Sequence, residues 1–166
     1  MTAHAVVHQV VPAGVEATFD LVHDYPRRLT WDTLLREAYT VDDAPPAKGV
    51  EAVCTARRRL GGLSFRTRYV TFNRPVLAAV VLLEAPFPFA SWAASIRHRP
   101  LADGRSEVVY TLTFTCRPAR LARLVEPVAL AAFRWETRRR LRALAARLDR
   151  TGGTGGLVCR GRGPAR

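Results

Sequence analysis

Leu121–Leu148 reads LARLVEPVALAAFRWETRRRLRALAARL, and the spacing of its apolar residues decides the architecture of the chain. Leu130, Phe133, Thr137, Leu141, Leu144 and Leu148 recur at intervals of 3, 4, 4, 3 and 4, which is one face of an α-helix. At about 1.5 Å per residue such a helix is roughly 42 Å long, enough to cross a small sheet. Leu121, Leu124, Val125 and Val128 lie about 180° around from that stripe. Pro127 sits between the two sets and cannot donate to the Arg123 carbonyl. The sequence therefore predicts a kink or break near Glu126-Pro127 that re-aims the apolar face and weakens the segment before it.

Everything ahead of this helix reads as short strands and turns. Ala5–Val11 is a first strand, stopped by Pro12 and Gly14, and Val15, Phe19 and Val22 mark a short helix with acidic Glu16 near its positive end. Pro26–Leu35 reads as a second short helical segment. Six further strands follow: Ala38–Asp42, Val50–Arg59, Leu63–Phe72, Val76–Ala85, Ser91–Arg99 and Glu107–Arg117. Leu60-Gly61-Gly62 and Asp103-Gly104 are turn signals, and every link between these six is short enough for antiparallel neighbours. The expected class is α+β: a seven-stranded antiparallel sheet, two short helices after strand 1, and a long C-terminal helix covering a cavity.

Period-two alternation assigns the faces. Phe65, Thr67 and Tyr69 oppose Ser64, Arg66 and Arg68, so they point inward. Trp92, Ala94, Ile96 and His98 share the inner face, as do Val108, Tyr110, Leu112 and Phe114. Ala52, Cys54 and Ala56 are small inward residues, which leave room opposite the large ones for a pocket.

Bulk properties narrow the function classes. An apolar fraction of 48% over 166 residues is that of one globular domain, not of a disordered chain. No run of roughly eighteen apolar residues is present, and the N-terminus lacks the basic-then-apolar pattern of a secretory signal, so a cytoplasmic protein is expected. Cys54, Cys116 and Cys159 form no C-x-x-C pair and no Cys/His cluster, so neither a disulfide framework nor a metal site is expected, and no cofactor is called for. The net charge of +12 is carried by arginine, Lys48 being the only lysine. Residues 150–166 hold Arg150, Arg160, Arg162 and Arg166 with no acid, which leaves +8 on the rest. Charge this diffuse fits a solvated surface better than a nucleic-acid reading head. The domain is expected to end at 149, with 150–166 a flexible Gly/Arg-rich tail.

Four stretches add a resemblance: Val15–Asp20 (VEATFD), Asp24–Trp31 (DYPRRLTW), Thr67–Phe72 (TRYVTF) and Glu136–Leu141 (ETRRRL). In this order, and with this layout, residues 3–149 resemble the SRPBCC superfamily, the helix-grip fold of START lipid-transfer domains, pollen-allergen-like proteins and polyketide cyclase/dehydrase proteins. The resemblance implies a hydrophobic cavity between sheet and last helix. It transfers no catalytic motif, because the superfamily shares none, and the fold alone does not fix a function.

The cavity-facing residues are the candidates. Trp31, Cys54, Arg58, Phe65, Thr67, Trp92, Ile96, Leu112 and Phe133 are expected to contact a small hydrophobic or aromatic ligand such as a lipid, quinone or polyketide. Arg58 would fix a carboxylate or phenolate at the mouth, and Trp31-Asp32 would pack and cap the entrance. If the chain is instead an aromatase/cyclase or dehydratase, Tyr69 and Tyr110 are the donors and His98 the acid or base. An acyl-carrier protein would then be a partner. His23-Asp24 looks like a base with its orienter, but chain neighbours seldom present both side chains to one point. A third reading, an RNA- or ribosome-binding module, rests on the charge alone.

Overall fold

The computed structural model describes residues 2–153. Its elements are β1 (Ala3–Val11), α1 (Val15–His23), α2 (Tyr25–Arg28), β2 (Leu35–Thr40), β3 (Glu51–Ala56), β4 (Ser64–Asn73), β5 (Leu77–Leu82), β6 (Phe89–Pro100), β7 (Ser106–Cys116) and α3 (Ala119–Gly153). The seven strands form one antiparallel sheet in the order β1-β7-β6-β5-β4-β3-β2. The six later strands are a meander, as their short links require. β1 joins the far edge by pairing with β7, with Val7 opposite Tyr110 and Val11 opposite Ser106. Consecutive strands β1 and β2 are thus opposite edges of the sheet. The two short helices carry the chain from one to the other, and their buried residues Phe19, Leu21, Val22 and Tyr25 face the sheet's interior.

The strand faces follow the alternation, with changes of phase at register shifts between Leu35 and Glu37 in β2, Tyr69 and Thr71 in β4, and Phe89 and Ser91 in β6. The shift in β4 inserts a bulge, so Tyr69 and Phe72 pack against each other on the inner side, their ring centroids 5.2 Å apart. The second helical segment is shorter than expected. It ends at Arg28, because the Asp32 carboxylate accepts the Leu34 N–H at 3.1 Å, a local bond that competes with helix continuation. Leu35 then opens β2 opposite Ala56. β3 stops at Ala56, and Arg58–Leu60 form a 3₁₀ turn that closes on Gly61 and Gly62 at φ +92° and +63°.

The expected break at Pro127 does not occur: α3 is one continuous helix containing Pro127. The reason is geometric. Ala122, Val125, Ala129, Leu130 and Phe133 already continue the inward stripe of Leu141, Leu144 and Leu148, so nothing needs re-aiming, and Leu124 and Val128 are left in solvent. The helix also runs past the expected boundary at 149 to Gly153. The remainder of the Gly/Arg-rich segment lies outside the described residues.

Two apolar clusters hold the layers together. One joins α3 to β1, β6 and β7 through Val7, Val11, Phe114, Leu144 and Leu148; the other gathers Phe19, Tyr25, Leu35, Ala38, Ala52, Tyr69 and Ala78 between the short helices and β2–β5. The space between the clusters is only partly filled.

Candidate functional site

That space is a cavity of about 100 Å³ lined by β2–β7, the end of α1, α2 and the middle of α3. Its apolar wall contains Phe65, Trp92, Ile96, Leu112 and Phe133, with Cys54, Ala56, Ala78 and Ala94 supplying room where large side chains would otherwise meet. Small residues on β3 and β5 opposite aromatics on β4, β6 and α3 are what keep the layers from closing.

Polar groups occupy one side. Tyr69 Oη lies 2.9 Å from His23 Nδ1 and 2.9 Å from Tyr25 Oη, a chain of three buried proton carriers. Burial, and then the Arg28 charge, lowers the His23 pKa to about 3, so the imidazole is neutral near pH 7. Burial raises both tyrosines above the ordinary phenol value, so they are neutral too. The Tyr110 hydroxyl lines the same cavity.

Next to this chain, Asp32 is fully buried between two arginines. Arg140 donates to it bidentately, Nε to Oδ1 at 2.9 Å and Nη2 to Oδ2 at 2.7 Å, and Arg28 Nε donates to Oδ2 at 3.2 Å. Burial alone would raise the carboxyl, but Arg140 and Arg28 hold it below the usual carboxylate range. The Arg28 guanidinium makes no other hydrogen bond among the described residues, so its Nη groups are free to donate, and it lies 5.7 Å from the Tyr25 ring centroid. Glu136 Oε1 accepts from Thr33 Oγ1 at 3.1 Å, while the buried Oε2 accepts no hydrogen bond and has the Arg139 guanidinium as an ion-pair neighbour at 3.8 Å. Burial raises the Cys54 thiol, which makes it an inert wall residue rather than a nucleophile.

The structure brings most of the expected residues together. Cys54, Phe65, Thr67, Tyr69, Trp92, Ile96, Tyr110, Leu112 and Phe133 all line the cavity, and the Thr67 hydroxyl donates to the Ala52 carbonyl at 3.3 Å. Three do not line it. Arg58 is exposed on the 3₁₀ turn after β3, because β3 ends two residues before it and the inward phase is lost. Trp31 lines a smaller void behind Arg28 and Arg140. His98 faces inward but is plugged by Phe19, with ring centroids 5.3 Å apart, and both ring nitrogens lack partners; burial lowers its pKa to about 4.

The sequence reading missed the polar side of the cavity: His23, Tyr25, Arg28, Glu136 and Arg140. His23 and Asp24 do point apart, Asp24 capping α2 by accepting the Arg27 N–H at 3.1 Å. The imidazole instead finds its partner on β4, 46 residues away. One signal was present, since Glu136, Thr137 and Arg140 sit at helical spacing on the same stripe as Phe133 and Leu144.

A curved antiparallel sheet gripping a long helix over a lined cavity defines a helix-grip protein. The chain belongs to the family described as "Polyketide cyclase / dehydrase and lipid transport", whose model matches residues 2–149. Among solved structures it resembles the Zhui aromatase/cyclase from Streptomyces sp. R1128, with a TM-score of 0.78 at 14% identity over 94% of this chain and 99% of that one. It also resembles a START superfamily protein from Mycobacterium smegmatis, with a TM-score of 0.69 at 16% identity over 90% and 99%. The di-domain ARO/CYC StfQ of the steffimycin biosynthetic pathway matches with a TM-score of 0.76 at 11% identity, over 92% of this chain and 53% of that one. At these identities the likeness is one of fold. No curated protein sequence matches. No helix among the described residues is long and apolar enough to cross a membrane.

Proposed function

We propose that this protein binds a small aromatic or lipid-like molecule bearing an oxygen acceptor and a hydroxyl, held between the sheet and α3. The observation that carries this reading is the division of the cavity into an aromatic wall and a side with unused hydrogen-bonding capacity: the Arg28 Nη groups donate and Glu136 Oε2 accepts. A buried oxygen that accepts no hydrogen bond, as Glu136 Oε2 does not despite Arg139 at 3.8 Å, is destabilising unless something donates to it. A ligand carbonyl or phenolate on Arg28 and a ligand hydroxyl on Glu136 would do so. The free volume of about 100 Å³ is below the roughly 300–1,000 Å³ of pockets for drug-sized ligands. It suits one ring or the end of a chain, and a larger ligand requires the α2 and α3 walls to part.

The test is incubation with a lipid and isoprenoid-quinone extract followed by native mass spectrometry. A discrete adduct that is retained by wild type and weakened in Arg28→Gln and Glu136→Gln supports the reading. Absence of any adduct, or one indifferent to both changes, refutes it.

The Tyr25–Tyr69–His23 chain favours a second reading, a cyclase or dehydratase. Arg28 would polarise a ligand carbonyl, and the hydroxyl chain would pass a proton to or from the neutral imidazole of His23, in place of the excluded His98. Tyr69→Phe then abolishes turnover of a poly-β-ketone substrate, whereas in a carrier it changes affinity only modestly.

A further inference from the structure

α3 has a second apolar face. At 100° per residue Leu124, Val128, Ala131 and Trp135 fall within about 60° of one another, directly opposite the inward stripe. Leu124 is 73% exposed, Val128 71% and Trp135 57%. Arg120, Arg123, Arg134, Arg138 and Arg142 are exposed around this ridge, and Arg139 covers the Trp135 ring at 5.5 Å. Between Arg120 and Arg142 the helix has two acids, Glu126 and Glu136, and both are buried on the inner side; exposed Asp149 lies on the ridge side but about four turns beyond Trp135. Exposed Phe87, in the β5–β6 loop, lies at the same end, since the Arg117 N–H donates to the Pro88 carbonyl at 2.8 Å just before α3 begins.

We propose that this ridge docks on an anionic lipid bilayer. Apolar side chains in line, a tryptophan at the margin and arginines on the flanks are what a helix lying in a membrane interface presents. A second copy of the chain is a poor occupant, because it would bring two arginine rows together with no carboxylate between them. The apolar residues also form a convex ridge rather than a groove. A deformable lipid surface receives a ridge without a matching partner shape, and its phosphates answer the guanidinium groups of Arg120, Arg123, Arg134, Arg138 and Arg142. No acidic partner for these five is seen among the described residues, Arg139 alone being paired with Glu136 at 3.8 Å. The opposite side of the same helix walls the cavity, so docking would place the cavity beside the phase in which an apolar ligand dissolves. The proposal does not depend on what the cavity holds.

The test uses the full chain with vesicles of phosphatidylglycerol and phosphatidylcholine, compared with phosphatidylcholine alone. Co-sedimentation with the anionic vesicles is expected, with a blue shift of tryptophan emission that disappears in Trp135→Phe. Leu124→Ser/Val128→Ser removes only exposed side chains and is expected to weaken partition at least about tenfold, each tenfold being about 1.4 kcal/mol, with the circular dichroism spectrum unchanged. Binding undiminished in that variant would attribute the effect to the overall charge and overturn the proposal. So would absence of binding, or a Trp135 shift produced by an acidic carrier protein and not by vesicles.

Discussion

The two halves of the inner face of α3 do different work. From Leu141 to Leu148 it is a dry seam, in which Leu141, Leu144 and Leu148 are buried in the cluster that includes Val7, Val11 and Val108. From Phe133 to Arg140 the same face is half polar, and Glu136, Thr137 and Arg140 line a cavity. The difference is one of partners. Apolar side chains close on one another by shape, whereas the polar stretch is tied down by Thr33 and Asp32 of the loop between α2 and β2. A helix fastened at one end by packing and in the middle by charge leaves space between the fastenings.

The largest expected effect breaks the charged fastening. Asp32→Asn leaves Arg28 and Arg140 buried without a counter-charge, which should destabilise the fold by about 3–5 kcal/mol in urea unfolding. The dry seam is next: Leu144→Ala, at a fully buried position, should cost about 2–5 kcal/mol. Phe133→Ala, bordering existing free space, should cost less than the 3–5 kcal/mol usual for a Phe truncation. A greater loss at Phe133 than at Leu144 would erase the distinction between the halves.

A smaller, graded effect concerns pH. His23 and His98 have folded-state pKa values of about 3 and about 4, below the unfolded value near 6.5. The unfolded chain therefore takes up protons first. Their contribution is full above about pH 6.5 and is lost as pH falls toward the folded values, by up to about 1.4 kcal/mol per histidine per pH unit. Denaturation series at pH 7.5 and pH 5 should show this loss, and His98→Gln should reduce it. The smallest effect is Tyr69→Phe, which removes one hydroxyl from the His23–Tyr25 chain and should cost about 1 kcal/mol.

The same division governs what the sequence revealed. Period-two alternation and the Leu130–Leu148 stripe report which residues avoid water, so the strands, their inner faces and the cavity wall from Phe65 to Phe133 were legible. The polar side was not, because its members meet only through the fold. His23 reaches Tyr69 across the molecule, and Arg140 reaches Asp32 from an element that begins 87 residues later. No local pattern encodes such pairings. The Pro127 expectation failed for a related reason: a solvent-exposed Leu124 and Val128 look like core when apolarity alone is counted.

An aromatic guest in the cavity, as proposed, would lie against Trp92. Trp92 lines the cavity, while Trp31 and Trp135 do not, so Trp31→Phe/Trp135→Phe leaves a single emitter in the cavity wall. Titration of this variant with 4-nitrophenol, one aromatic ring with a hydroxyl and an oxygen acceptor, should quench Trp92 saturably at one equivalent. Adding Arg28→Gln should weaken the quenching. Emission that falls linearly without saturation, as in simple collision, would contradict the proposal.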